Sequence, residues 1–221
     1  MEPEKVSPQL EISRYFSQMK EMYGDEIYVE NVDIPLEEGS QLKLSDFEKV
    51  ISDCQECHLS QTRTNLVFGV GSEQADLVFV GEAPGRDEDL QGEPFVGRAG
   101  QLLDRILRAI QLSRKDVYIC NVLKCRPPKN RTPTTDEIDT CMPFLEKQLE
   151  LIQPKLIVAL GATAVHSLLN INSPLKKLRS QLWNWRGYDL VVTYHPAALL
   201  RNARLKPAAW EDFQWIKQLI H

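Results

Sequence analysis

Four short apolar runs recur between residues 77 and 194, and they constrain the fold more than any other feature of the chain. The runs are Leu77–Gly81, Val117–Asn121, Leu156–Leu160 and Leu190–Tyr194. Each is rich in Val, Ile, Leu and Tyr, which is typical of a β-strand covered on both faces. Strands of this kind belong to parallel sheets, because helical crossovers cover the two faces. The sequence therefore predicts a central four-stranded, mostly parallel sheet.

Helical patterns separate these runs. Apolar residues three and four positions apart form one stripe over residues 102–110 and another over residues 138–152. The second helix is expected to open at Thr135, and Pro143 predicts either a kink in it or a late start. Another helix is expected after Gly161, and a last one near the end of the chain. This alternation predicts a three-layer α/β/α domain.

The predicted topology also indicates where a site belongs. In open α/β sheets, ligands bind beyond the carboxyl ends of the strands. The segments at those positions are Gly81–Gly85, Asn121, Gly161–Thr163 and His195-Pro196. Three of them carry polar groups or tight turns, whereas Gly161–Thr163 offers no candidate functional group and is expected to support packing.

Charge divides the chain into two parts. The first 50 residues hold 12 acids and 5 bases, whereas residues 51–221 hold 19 acids and 21 bases. We predict that residues 1–45 form a partly helical or disordered extension and that residues 46–221 form the folded domain. Two basic segments, 113–131 and 172–206, suit a polyanion, although a solvated surface explains their charge about as well.

The chain lacks the hallmarks of membrane insertion or secretion. No apolar run approaches eighteen residues, and the N-terminal segment has no apolar core of the kind found in a signal peptide. These features predict a cytoplasmic protein without membrane contact. Cytosolic thiols stay reduced, so the five cysteines are expected to bind metal, act in catalysis or pack in the core.

Four of the cysteines have spacing that suits metal ligation. Cys54 and Cys57 form a Cys-x2-Cys turn before the first strand, Cys125 follows the second strand, and Cys141 lies fifteen intervening residues later. Four thiolates can hold either zinc or an iron–sulfur cluster, and spacing alone does not separate the two. Cys120 lies inside the second strand and is predicted to be a core residue.

Three long motifs then carry a family resemblance. They are GEAPGRDEDLQGEPFVGRAGQLLDRIL, NVLKCRPPKNRTPTTDEIDTC and YHPAALLRN, in this order. Together with the spacing of the four cysteines, they closely resemble the family 4 uracil-DNA glycosylases. The likeness is highly specific and runs from about Cys54 to Trp215, which leaves residues 1–50 outside it. It implies the uracil-DNA glycosylase fold, a 4Fe-4S cluster on Cys54, Cys57, Cys125 and Cys141, and hydrolysis of the N-glycosidic bond of uracil in DNA.

The resemblance also assigns roles to individual residues. Phe95 is similar to the family's uracil-stacking aromatic, and Asn121 to the residue whose amide reads uracil. An amide suits that task because it offers both a donor and an acceptor, which match N3–H and O4. His195 is similar to the histidine that donates a hydrogen bond to O2 of the departing base. It would act as a neutral donor if its basic surroundings disfavour protonation.

The acidic residues are less clearly assigned. Some related families place a water-activating Asp near the position of Ala83, and alanine cannot do that work. The backbone amides of Glu82 to Gly85 are instead expected to line the uracil pocket. Glu88 and Glu82 both match acids of the family motif as candidate catalytic carboxylates, and Glu88 is the preferred one. Its neighbours Asp87 and Asp89 fit an exposed acidic loop equally well.

The last motif is expected to contact DNA. Leu199 and Leu200 resemble the family's wedge, which fills the space left by the flipped base. Basic side chains expected to grip phosphates are Lys124, Arg126, Lys129, Arg131, Arg201, Arg204 and Lys206. The expected partner is uracil-containing DNA, single- or double-stranded, and the protein is expected to be a monomer. The cluster is interpreted as structural, a scaffold that holds the loop between Arg126 and Arg131.

Two other classes of function fit parts of the sequence. A divalent-metal nuclease could use Glu82, Asp87, Glu88 and Asp89 as ligands, but it leaves Asn121 and the other motif residues unexplained. A non-catalytic iron–sulfur protein could bind single-stranded DNA or transfer electrons. Within the glycosylase hypothesis, activity on other deaminated bases also stays open.

Overall fold

The four apolar runs form four neighbouring parallel strands in the computed structural model, which describes residues 42–220. Most of the predicted N-terminal extension lies outside the described residues. The strands follow the spatial order β1-β3-β2-β4-β6-β5. Their bounds are β1 Val70–Gly71, β2 Leu77–Gly81, β3 Tyr118–Asn121, β4 Leu156–Leu160, β5 Trp183–Trp185 and β6 Tyr188–Thr193. The predicted parallel core is confirmed, and its strand ends agree to within two residues.

The sheet is wider than predicted, because two short antiparallel strands extend its edges. β1 pairs with β3 through Val70 and Gly71, and β5 pairs with β6. A two-residue strand has no hydrophobic period to recognise. The β5–β6 hairpin turns at Arg186 and Gly187, whose φ angles of 51° and 91° match a tight two-residue turn. Because only two residues separate β5 from β6, the sequence shows no distinct loop between them, and β5 was not predicted.

Helices cover both faces of the sheet, as the three-layer prediction required. They are α1 Leu44–Ile51, α2 Arg86–Gln91, α3 Arg98–Ala109, α4 Thr135–Ile152, α5 Ala162–Leu169, α6 Leu175–Leu178, α7 Pro196–Arg201 and α8 Lys206–Leu219. Alternate residues of β2 show the two layers. Val78 and Val80 pack with α1, α4, α5 and α6, whereas Leu77 and Phe79 pack with α3 and α8.

The start of α4 is fixed by a reciprocal cap. The side chain of Thr134 accepts a hydrogen bond from the Glu137 backbone N–H, and the Glu137 carboxylate accepts one from the Thr134 N–H. The helix begins at Thr135 as expected and continues past Pro143, so that proline does not mark its start. Glu137 is buried although it is charged, because it forms an ion pair with Arg131.

None of the helices within residues 42–220 is both long enough and apolar enough to span a lipid bilayer.

Candidate active site and cysteine cluster

A cleft of about 950 Å³ opens at the carboxyl ends of β2, β3, β4 and β6. It lies where the open parallel sheet was expected to bind a ligand. The cleft brings together most of the site residues predicted from the sequence. Those that line it are Glu82, Ala83, Glu88, Phe95, Asn121, Arg126, Arg131, His195 and Arg201. Gly161–Thr163, which was expected only to support packing, lines the cleft as well.

Phe95 and Asn121 approach each other because Gly81 has no side chain. A Cβ at Gly81 would lie 2.7 Å from the Phe95 ring and would also collide with the Asn121 side-chain oxygen. Phe95 itself has a left-handed backbone, with φ 55°, which is rare for a bulky residue. Arg114 holds that conformation, since its guanidinium donates to the carbonyls of Phe95 at 3.1 Å and Pro94 at 2.7 Å.

Arg114 is a site residue that the sequence reasoning missed. It counted only as one charge of the basic segment 113–131, and no local pattern shows that its partners lie about twenty residues earlier. The structure gives it a supporting role instead, because it also pairs with Asp104 at 3.2 Å and so ties the Phe95 loop to α3.

His195 is the N-cap of α7, and its low pKa leaves the ring neutral near pH 7. Its Nδ1 accepts a hydrogen bond from the Ala197 backbone N–H at 3.1 Å, which caps the helix. Burial, and secondarily the charge of Arg201, lower the pKa of His195 to about 4. Because Nδ1 is the acceptor, the single ring proton of the neutral histidine lies on Nε2. The ring is therefore a neutral donor, and it packs 5.4 Å from the Phe95 ring.

The acidic run after β2 does not behave as one exposed loop. Glu88 lines the cleft and accepts a hydrogen bond from the Gly97 N–H at 3.0 Å, which joins α2 to the start of α3. Asp87 pairs with Arg86 at 3.1 Å. Asp89 is buried and accepts from the backbone N–H and the hydroxyl of Thr64, so the alternative of an exposed acidic loop does not hold for this residue.

The two leucines of the predicted wedge differ in exposure. Leu200 is 38% exposed, whereas Leu199 is 2% exposed and packs inside the protein. Leu199 was therefore wrongly predicted as a residue that contacts DNA, because on a helical turn only one of two consecutive residues faces solvent here. Lys124 was also wrongly predicted to grip phosphate, since it is 1% exposed.

The arginines near the cleft are held in different ways. Arg126 donates to the Asn130 side chain at 2.7 Å. Arg131 forms a two-pronged ion pair with buried Glu137, at 2.8 and 2.5 Å, which lowers the pKa of that carboxyl to about 2. Arg131 is thus committed to an internal partner. Asn130, which sequence reasoning passed over, lines the cleft in a left-handed conformation with φ 55°.

The four predicted ligand cysteines line a single second cavity. Cys54 and Cys57 approach it from the turn before β1, Cys125 from the loop after β3, and Cys141 from α4. Cys120 is fully buried in the core, as predicted. Within residues 42–220, no three His, Cys, Asp or Glu side chains meet closely enough to hold a single metal ion.

Polar groups point at the sulfur atoms of this cavity. Arg63 donates to the Cys125 Sγ at 3.1 Å, and the backbone N–H of Lys124 donates to the Cys141 Sγ at 3.3 Å. Burial raises the pKa of the Cys54 thiol to about 11 and that of Cys141 to about 12. At these values, the Cys54 and Cys141 thiols are protonated near pH 7 unless a bound metal group ionises them.

Comparison with known proteins defines the class. The family model of the uracil DNA glycosylase superfamily matches residues 68–214, which contain the whole cleft, so the chain belongs to that superfamily. It is 46% identical over 184 residues to the type-4 uracil-DNA glycosylase of Archaeoglobus fulgidus, covering 80% of this chain and 92% of the relative. It is 47% identical over 174 residues to that of Thermotoga maritima, covering 77% and 91%. Within the superfamily, the chain is one of the type-4 uracil-DNA glycosylases.

A more distant relative shows where the likeness ends. The chain is 32% identical over 149 residues to the type-5 uracil-DNA glycosylase of Pyrobaculum aerophilum, which covers 60% of this chain and 66% of the relative. The type-4 proteins match over a longer stretch and at higher identity, which agrees with the motif-based assignment.

Proposed function

We propose that the cleft receives a uracil nucleotide flipped out of DNA and hydrolyses its N-glycosidic bond, leaving free uracil and an abasic site. Membership of the uracil-DNA glycosylases supports the reaction class. The observation that carries the proposal is the convergence of Phe95, from the loop between α2 and α3, with Asn121 and His195 at the ends of β3 and β6. An aromatic face, an amide and a neutral hydrogen-bond donor are the groups that recognition and release of uracil require.

Recognition depends on Phe95 and Asn121. The Phe95 ring offers a flat apolar surface on which the base stacks, and Arg114 prevents its loop from relaxing. Asn121 is 2% exposed, so its amide reads the base away from competing water. Cytosine presents an amine where uracil has O4, and a buried amide set for uracil discriminates strongly against that exchange.

Bond cleavage depends on His195. The C1′–N1 bond breaks, the electron pair leaves with uracil, and negative charge develops on O2. The Nε2–H of His195 donates to that oxygen, and the low pKa keeps the ring neutral while it does so. A water molecule then adds to C1′ and loses a proton, so that the sugar keeps the hydroxyl group and the uracil anion is released as neutral uracil. We assign Glu88 to orient this water, with Glu82 as the second candidate, since both line the cleft.

The acids do not support the nuclease alternative. Asp89 turns inward to Thr64, and Asp87 pairs with Arg86, so two of the four carboxylates predicted to share a metal ion already have other partners. In the part of the chain that the structure describes, they form no group able to hold such an ion. Glu88, which accepts from the Gly97 N–H, and Glu82 are left as the candidate catalytic carboxylates of the cleft.

We also propose that Cys54, Cys57, Cys125 and Cys141 hold a 4Fe-4S cluster. The four line one cavity, and N–H donors point at two of the sulfur atoms, as they do at thiolates of iron–sulfur sites. Four thiolates can hold zinc as well as a cluster. The resemblance to the family 4 uracil-DNA glycosylases is what favours the 4Fe-4S cluster. Its positive irons would ionise the thiols and tie the Arg126–Arg131 loop to α4.

Purified protein tests the cluster directly. Anaerobic preparation is expected to give brown protein with about four irons and four sulfides per chain, and negligible zinc. Cys125→Ala is expected to lose colour and iron, whereas the matched change Cys120→Ala, in a core cysteine outside the cavity, keeps both. Stoichiometric zinc without iron would overturn the assignment.

The remaining proposals concern partners and location. We infer a cytoplasmic monomer that acts on uracil in DNA. Support for a DNA partner comes from the basic side chains beside the cleft, of which Arg126 and Arg201 are the best placed. Leu200, which is exposed on α7 next to the His195 loop, is the side chain proposed to fill the vacated base stack.

The activity itself is tested by base release from a uracil-containing oligonucleotide, with and without EDTA. Free uracil and an alkali-labile abasic site are expected in both conditions. Strand cuts that require added magnesium would favour the nuclease instead. Binding without base release, from coloured and folded protein, would favour the non-catalytic iron–sulfur protein.

A further inference from the structure

A lysine with no access to solvent lies between the base-reading residue and the cysteine cluster. Lys124 is 1% exposed, and it precedes Cys125 by one position. Its ammonium donates to the backbone carbonyl of Asn121 at 2.8 Å and to the side-chain oxygen of Gln148 at 2.5 Å. Burial of a charge is costly unless the charge is well paired, so a surface role does not explain this placement.

Gln148 extends the contact to a second element. It is fully buried on α4, and its amide donates to the carbonyl of Phe68 at 3.0 Å and to the Tyr118 hydroxyl at 3.2 Å. Tyr118 begins β3 and Asn121 ends it, so this network holds both ends of one short strand. The helix that carries Gln148 also carries Cys141.

The backbone of Lys124 completes the link. Its N–H donates to the Cys141 Sγ, and its carbonyl accepts from the Val67 N–H at 2.8 Å. The residue thus contacts a cluster cysteine through its backbone and the base-reading residue through its side chain. The four thiolates of a loaded cluster would also supply negative charge close to the ammonium.

We propose that Lys124 is a positioning residue that fixes the Asn121 amide and couples it to the cysteine cluster. The ammonium holds the Asn121 carbonyl, which sets the backbone from which the reading side chain projects. Gln148 and Cys141 in turn hold the lysine, so the position of the amide depends on how α4 is anchored. This inference rests on the proposed function, and specifically on the reading role of Asn121.

The test is a double-mutant cycle between Lys124→Met and Asn121→Ala. Methionine has a side chain of similar length without a donor. Single-turnover uracil release by Lys124→Met is expected to be about 10 to 100 times slower than wild type, since the buried carbonyl of the reading residue loses its donor. If the lysine acts through Asn121, the double variant is expected to be within about threefold of Asn121→Ala.

Binding gives a readout that a general structural role would not change. Affinity for a strand with a non-cleavable 2′-fluoro uridine analogue should fall in Lys124→Met, whereas affinity for the uracil-free strand should not. Iron content and thermal midpoint are measured on the same samples. Lys155→Met is the matched control, because Lys155 is exposed and pairs with Asp76 at the surface. It is expected to match wild type in every measurement.

Gln148→Leu covers the case in which Lys124→Met fails to fold or to load iron. It leaves the ammonium on Asn121 but removes the link to α4, so a smaller loss of about 3 to 10 times is expected, again without addition to Asn121→Ala. If the rate losses of the two single variants multiply in the double variant of either cycle, the positioning role is overturned. The proposed glycosylase function would not be affected by that result. Absence of uracil release from wild-type protein would overturn the proposed function, and the positioning role with it.

Discussion

Replacement of His195 tests the proposed chemistry most directly, because its two ring nitrogens have different tasks. Nδ1 caps α7 by accepting from the Ala197 N–H, which leaves Nε2–H as the proposed donor to the departing base. His195→Ala removes both. Loss of one donor to a developing oxyanion costs about 2.7–4 kcal/mol of transition-state stabilisation, so uracil release is expected to slow about 100- to 1,000-fold. Loss of the cap is expected to lower the free energy of unfolding by about 1 kcal/mol.

His195→Asn is the matched control for the cap. Asparagine is a good capping residue, but its side chain is too short to reach the position of Nε2. We expect this variant to be as slow as His195→Ala while it recovers most of the lost stability. The assays are single-turnover release of uracil from saturating enzyme and urea unfolding monitored by circular dichroism. A rate within threefold of wild type for both variants would refute the donor role.

The pH dependence gives an independent check on the same residue. Since burial lowers the pKa of His195 to about 4, the rate should not change through its protonation between pH 8 and about 5, and should fall only below that. The stability effect has the same sign. The unfolded state takes up the proton near pH 6.5, so this contribution is present above pH 6.5 and is lost as the pH falls towards 4. A rate limb near pH 6.5 that disappears in His195→Asn would contradict this assignment.

Three further predictions concern other parts of the site. Asn121→Asp is expected to lower uracil release at least about 100-fold and to make release of cytosine detectable, and unchanged base discrimination would refute the reading role. Leu200→Ala is expected to slow release from duplex DNA about tenfold more than from single strands, whereas Leu182→Ala, at another exposed leucine, should have no effect on either. Glu137→Gln is expected to lower the free energy of unfolding at pH 7 by about 1 kcal/mol, measured by urea titration, because the buried Glu137 side chain loses its charged hydrogen bonds to the partly exposed Arg131. Since the folded pKa of Glu137 is about 2, its contribution is present above about pH 4.5 and is lost as the pH falls towards 2, and the variant should lack this dependence.

The parallel core and the cysteine set were predictable from the sequence because their signals are local. A strand covered on both faces must be apolar at nearly every position, so β2 and β4 are visible as runs without any knowledge of their partners. The motifs place Phe95, Asn121 and His195 after strands, and the topology rule brings the ends of parallel strands together. The cleft was therefore expected from order along the chain alone.

Only the tertiary structure decided which side chains face the cleft and which face inward. Leu199 and Leu200 are consecutive and chemically identical, and the packing of α7 buries one and exposes the other. Asp89 accepts a hydrogen bond from Thr64, and Arg114 donates to the Phe95 loop, although about twenty residues or more separate each pair along the chain. Lys124 is buried and donates to Asn121 and Gln148. The sequence encodes that these groups are polar or charged. Their partners depend on distances that exist only after the helices have packed on the sheet, because a buried polar group bonds to whatever the fold brings within reach.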